Sequence, residues 1–139
     1  LHYWGEVCMK HRLSFACFNI LAANIVEVVV DEGVEMSLEM IDECHRFIED
    51  HFEDVFGMLI NRVNNYTYTY EAKLSIASYA NLKAIAFVYY SQESKNKIES
   101  LSQLRALDCW NYQLFSGLDL GWQQAFDWLE QELSAVKVS

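Results

Sequence analysis

Two stretches of this chain are apolar at nearly every central position, VFGMLINRV over 55–63 and KAIAFVYY over 83–90. Runs without period-2 alternation read as buried parallel strands, because such strands are covered on both faces. Upstream, LSFACFNI (13–20) and NIVEVVVD (24–31) are β-rich and separated by only a Leu-Ala-Ala connection. So short a link predicts an antiparallel pair. WNYQLF (110–115) adds a fifth short strand.

Elsewhere the period becomes helical. Ser37 precedes LEMIDECHRFIEDHF, in which Leu38, Ile41, Cys44 or His45, Ile48 and Phe52 recur about a turn apart. YEAKLSIASYANL (70–82) sets Leu74, Ala77 and Ala80 on one stripe, and residues 92–107 are stitched by Ile98, Leu101 and Leu104. GWQQAFDWLEQEL closes the pattern with Trp122, Ala125, Phe126, Leu129 and Leu133 in register. The order is ββαβαβαβα, which predicts an α/β fold with a five-stranded mixed sheet and four helices. The strands over 58–63 and 84–89 should be parallel, central and covered by helices.

NNYTYTYEA (64–72) fits neither class cleanly. Its Tyr/Thr alternation has the period of a strand, yet a crossover must start soon after residue 63 to reach the strand at 83. Thr69 suits a helix N-cap, with Glu71 in the first turn where a carboxylate meets the positive end of the helix dipole. The expected arrangement is therefore a loop over 64–69 followed by a helix.

Composition narrows the function classes. With 139 residues, 53% of them hydrophobic and none of them proline, the chain reads as one domain over 1–139, the first dozen residues forming a flexible N-terminal extension. Ten Lys and Arg against 20 Asp and Glu give a formal net charge of -10, which argues against binding to a phosphate backbone or an anionic membrane surface. Half of the acids lie in 31–54, where Arg46 is the sole base; that stretch is a solvated face or a docking face for a basic partner. Cys8, Cys17, Cys44 and Cys109 have neither zinc nor disulfide-framework spacing and read as reduced thiols of a cytoplasmic protein. No run approaches the roughly 18 apolar residues that span a membrane. The stretch from Met9 imitates a signal peptide, but Asn24 runs directly into IVEVVV.

The element order, the phrase NIVEVVVDEGVEMSLEMID, MLINRV followed by a Tyr/Thr loop and YEA, the run KAIAFVYYSQESK and the ending YQLFSGLDLGWQQAFDWL together resemble the SpoIIAA-like family of STAS/SEC14-type bacterial proteins, over about residues 13–133. The resemblance implies an anti-sigma-factor-antagonist type of fold and a regulatory interaction module; a lipid-binding relationship is also suggested for the family. The better-known antagonists carry an Asp-Ser-Ser/Thr-Gly motif in the loop after strand three, and its hydroxyl is phosphorylated to switch partner binding. Here that loop has no Asp, Ser or Gly, and only Thr67 and Thr69 offer an aliphatic hydroxyl. A phosphate on either would lie near a helix N-terminus, although capping alone is the commoner role of such a threonine.

Open α/β sheets receive ligands and partners at the carboxyl ends of their parallel strands. Asn64, Asn65, Tyr66, Thr67, Tyr68 and Thr69 should therefore share a rim with Ser91 and Ser94, beside an exposed Tyr66 or Tyr68. Two readings follow: a protein-interaction module docking at that rim, and a carrier of a small apolar or lipid-like ligand between sheet and helices. No nucleophile, base and orienter occur together, which argues against an enzyme. No Gly-rich phosphate loop occurs, and His45 with Glu49, one turn apart, lacks a third metal ligand. Neither a cofactor nor a metal is expected. The patterns are compatible with a homodimer.

Overall fold

The computed structural model describes residues 9–138, with side-chain surroundings as far as residue 134. The strands are β1 (Met9–Arg12), β2 (Ala16–Ala22), β3 (Ile25–Val30), β4 (Glu35–Met36), β5 (Phe56–Asn61), β6 (Thr67–Tyr68), β7 (Leu82–Tyr89) and β8 (Tyr112–Ser116). The helices are α1 (Leu38–His51), α2 (Tyr70–Ser75), α3 (Gln92–Leu104) and α4 (Gly121–Val138), with one 3-10 turn at Ala106–Asp108. The main sheet runs β1-β2-β3-β5-β7-β8, antiparallel through β1, β2 and β3 and parallel from β3 to β8.

The α/β class, the antiparallel pair, the four helices and the central parallel strands agree with the sequence pattern. The strand count does not: among the described residues the main sheet has six strands rather than five. The additional one is β1, within the expected flexible extension, where Met9 to Arg12 pair with Ile20 to Cys17. MKHR carries no apolar periodicity because all but half-buried His11 is exposed on a sheet edge, so hydropathy alone had nothing to detect. Residues 1–8 of that extension, Cys8 included, lie outside the described residues.

Alternation of faces explains the doubly apolar strands. Ala84, Ala86 and Val88 of β7 face α4 with Leu59 of β5, and Ala125, Leu129 and Leu133 close that layer. Ile85 and Phe87 face the other way, toward Ile98 of α3. Beside them Phe18, Val26, Val28 and Met58 meet Ile41, Cys44, Phe47 and Ile48 of α1. Close seating of α4 relies on Gly57, where a Cβ would stand 3.1 Å from Leu129 Cδ2. Trp122 and Phe126 stack with rings 2° from parallel at the margin of this layer, only partly buried.

Three helices differ from the expected stripes. Helix α2 ends at Ser75 rather than near 82, because Ile76 turns extended and Ala77 adopts φ 62°, a left-handed conformation incompatible with continuing the helix. Leu74 and Leu104 are exposed and Leu38 is 43% exposed; α1 buries the Ile41, Cys44 and Ile48 side instead.

Candidate functional site

The Tyr/Thr segment resolves into three pieces. Asn64 and Asn65 dock on the turn after β3: Asn64 Nδ2 donates to the Val30 carbonyl at 3.0 Å, and the Asn65 amide donates to Glu32 Oε1 at 3.1 Å. The Gly33 amide returns a bond to the Asn65 carbonyl at 2.7 Å from a φ of 78°, which glycine adopts without a Cβ clash. Thr67 and Tyr68 then form β6, a two-residue parallel ladder on Glu35 and Met36. So part of the alternation is a strand after all. Thr69 caps α2 as expected, its Oγ1 accepting from the Ala72 amide at 3.2 Å, with Glu71 in the first turn.

The expectation that Tyr66 or Tyr68 is a freely exposed aromatic is corrected. Tyr66 is 2% exposed, packed among the core residues under α1, and Tyr68 is partly buried beside it with hydroxyls 3.5 Å apart. Burial pushes the Tyr68 hydroxyl well above its ordinary value; Tyr66 adds to that shift and the Arg62 charge opposes it. Cys44, in the same interior, is pushed up to about 12, chiefly by burial. A neutral thiol this deep is an inert packing group rather than a nucleophile.

Ser91 and Ser94 stand at the other side of the rim. Ser91 caps α3, its Oγ accepting from the Ser94 amide at 3.1 Å. Ser94 is buried and accepts through Oγ from Arg62 Nε at 3.3 Å. Arg62, the residue after β5, also donates through Nη2 to the Tyr66 carbonyl at 2.9 Å and lies over the Tyr66 ring at 3.9 Å. One buried guanidinium thus ties the segment after β5 to the start of α3. Asn64 and Asn65 belong to the turn after β3 instead.

From this junction an open groove of about 540 Å³ runs along α3. Tyr66, Thr67, Tyr68 and Lys73 line it from the β6–α2 side, Phe87 from the sheet, and Lys97, Ile98, Leu101 and Leu104 from α3. Thr67 is exposed there, whereas the Thr69 oxygen is engaged in its cap. Behind the groove is an apolar interior cavity of about 30 Å³, which shares Tyr66, Tyr68, Phe87 and Leu101 with it. That is room for about one water-sized group.

Arg62 went unremarked in the sequence pattern, although it is the one charge inside VFGMLINRV. Glu27 in IVEVVV gives the same signal. Its carboxylate is 7% exposed on the α4 side of the sheet and accepts from Asn19 Nδ2 at 2.8 Å, Asn61 Nδ2 at 3.0 Å and Trp122 Nε1 at 2.8 Å. The acid-rich stretch is mostly solvated; within it Glu43 accepts from the Ser14 hydroxyl at 2.9 Å and Asp31 pairs with Arg12. His45 packs edge-on against Tyr79, while Glu49 is exposed. Cys17, Cys44 and Cys109 are free thiols.

Comparison of the chain with protein-family models, with curated proteins and with solved structures gives no match. Among the described residues no helix is long and apolar enough to cross a membrane.

Proposed function

We propose that this chain is a non-catalytic protein-interaction module of regulatory type, resembling the SpoIIAA-like STAS domains, and that its partner docks in the groove between the β6–α2 segment and α3. The observation that supports this most is the groove itself. It opens beside the carboxyl ends of two parallel strands, it is lined by rigid aromatic rings and an exposed Leu104, and its wall is pinned by a ladder instead of hanging as a free loop. Thr67 on that wall is the accessible hydroxyl through which phosphorylation would alter docking. A cytoplasmic setting suits the free thiols of Cys17, Cys44 and Cys109 among the described residues.

A photo-crosslinking residue in place of Leu104 tests the reading, with the same residue in place of exposed Asp50 on α1 as reference. One protein should be captured at position 104 and not at 50. Equal capture at both positions, or none at 104, would sink the proposal.

The carrier reading draws on the apolar cavity behind the groove. For a lipid-like ligand the cavity would have to enlarge well beyond its 30 Å³. Native mass spectrometry of the purified chain decides it: a stoichiometric copurified ligand favours the carrier, and a bare chain favours the module.

A further inference from the structure

The chemistry of the groove lining goes further than its shape. We infer that the groove binds the acidic side chain of a docked peptide segment, the carboxylate seating on the unused N–H donors of Arg62; this rests on the groove being the partner site. Arg62 is 4% exposed, and a charge so far from water ordinarily has a counter-ion. Among the described residues no carboxylate lies within ion-pair distance of it. Its partners are the neutral Ser94 hydroxyl, the Tyr66 carbonyl and the Tyr66 ring. A guanidinium has five N–H donors. Two are used in this way, and Nη1 has no partner among the described residues.

The surrounding charge points the same way. Arg62, Lys73 and Lys97 line the groove against Glu93 alone, in a chain whose acids outnumber its bases 20 to 10. Glu93 is already paired with Lys97 at 3.3 Å. The groove is thus a local inversion of a strongly negative molecule, and it would steer an acidic segment away from the α1 face and toward Arg62. Stacking on Tyr66 at 3.9 Å holds the guanidinium plane, so little side-chain freedom remains to be lost when a carboxylate binds. Phe87, Leu101 and Leu104 alongside call for an apolar residue next to the acid.

The test is a titration of the full, 15N-labelled chain with acetylated, amidated tripeptides, Leu-Glu-Leu against Leu-Gln-Leu, followed at the Arg62 Nε–H resonance. Leu-Glu-Leu should shift that resonance saturably, while Leu-Gln-Leu at tenfold higher concentration should not. Lys73→Gln and Lys97→Gln should each weaken binding roughly two- to fivefold, the usual worth of one exposed charge contact. Both lysines are only partly buried at the rim of the groove, so these substitutions leave the fold in place and the test does not depend on an Arg62 variant folding. Equal shifts with both peptides, no saturable shift, or a response to Leu-phosphoserine-Leu alone would each overturn the acidic-side-chain assignment. If crosslinking at position 104 persists while the titration fails, the groove stands and its carboxylate specificity falls. Saturation by Leu-Glu-Leu with no crosslinked partner upholds the anion site and removes the protein-docking reading instead.

Discussion

Glu27 and Arg62 are buried charges on opposite sides of one sheet, and they are handled in opposite ways. The carboxylate is enclosed: three neutral donors on β2, β5 and α4 converge on its two oxygens at 2.8 to 3.0 Å. The guanidinium is half-answered, with one hydroxyl and one carbonyl on its donors and an open groove in front. Low exposure is common to both, so exposure does not separate a structural charge from a recognising one. Unused hydrogen-bond capacity beside open space does.

The strongest way to break this contrast is to remove the enclosed charge. Glu27→Ala strands the Asn19, Asn61 and Trp122 donors in the α4 layer and should cost about 3 to 5 kcal/mol in urea unfolding. A loss below about 1 kcal/mol would mean that water reaches this cluster and that Glu27 is no more closed than Arg62.

Alkaline pH probes the groove side of the sheet. Cys44, Tyr68 and Tyr79 are held neutral by burial, with folded-state values raised above those of the unfolded chain. The unfolded chain therefore loses these protons first. The stabilisation is complete below pH 9 and declines through pH 12 as the thiol and then the phenols ionise on unfolding, at about 1.4 kcal/mol per pH unit for each titrating group. Melts across that range should show the decline, and Cys44→Ala should flatten its first part. An unchanged slope in Cys44→Ala would place the effect elsewhere.

Arg62→Met comes next. One of its two acceptor residues, Tyr66, lines a groove that water can enter while Ser94 stays buried, so the expected loss is about 1 to 3 kcal/mol, together with loss of crosslinking at position 104. A destabilisation equal to that of Glu27→Ala, with partner capture intact in the surviving folded fraction, would make both charges structural. The smallest effects belong to Lys73→Gln and Lys97→Gln, each within about 0.5 kcal/mol of the parent by denaturant melting. Their consequence should appear in peptide affinity.

Periodicity carried the sequence most of the way to the main sheet because burial on one or two faces leaves a repeating trace. It could not show β1, an edge strand of polar residues held by backbone bonds, nor β6, whose two residues depend on pairing with a segment more than 30 positions earlier. The polar rim was legible in part: Thr69 as a cap follows from local chemistry, and Ser91 does likewise. Tyr66 was misjudged because tyrosine is amphipathic, and only the tertiary arrangement shows that its ring lies under a guanidinium. Arg62 and Glu27 were visible as single charges within apolar runs, a signal that periodicity treats as noise.

The edge strand β1 has a consequence for how the molecule keeps to itself. Among the described residues one border of the sheet ends in Lys10, His11 and Arg12, and such basic fringes discourage strand-to-strand association between molecules. Beneath it lies β2, ACFNILA, seven residues of which four stand opposite β1 in the antiparallel ladder. A chain shortened to begin at Leu13 would expose that ladder as a long, uncharged border with β-branched and aromatic side chains. Self-association through β2 is its expected fate, so the four residues MKHR act as a guard on the sheet as well as a part of it.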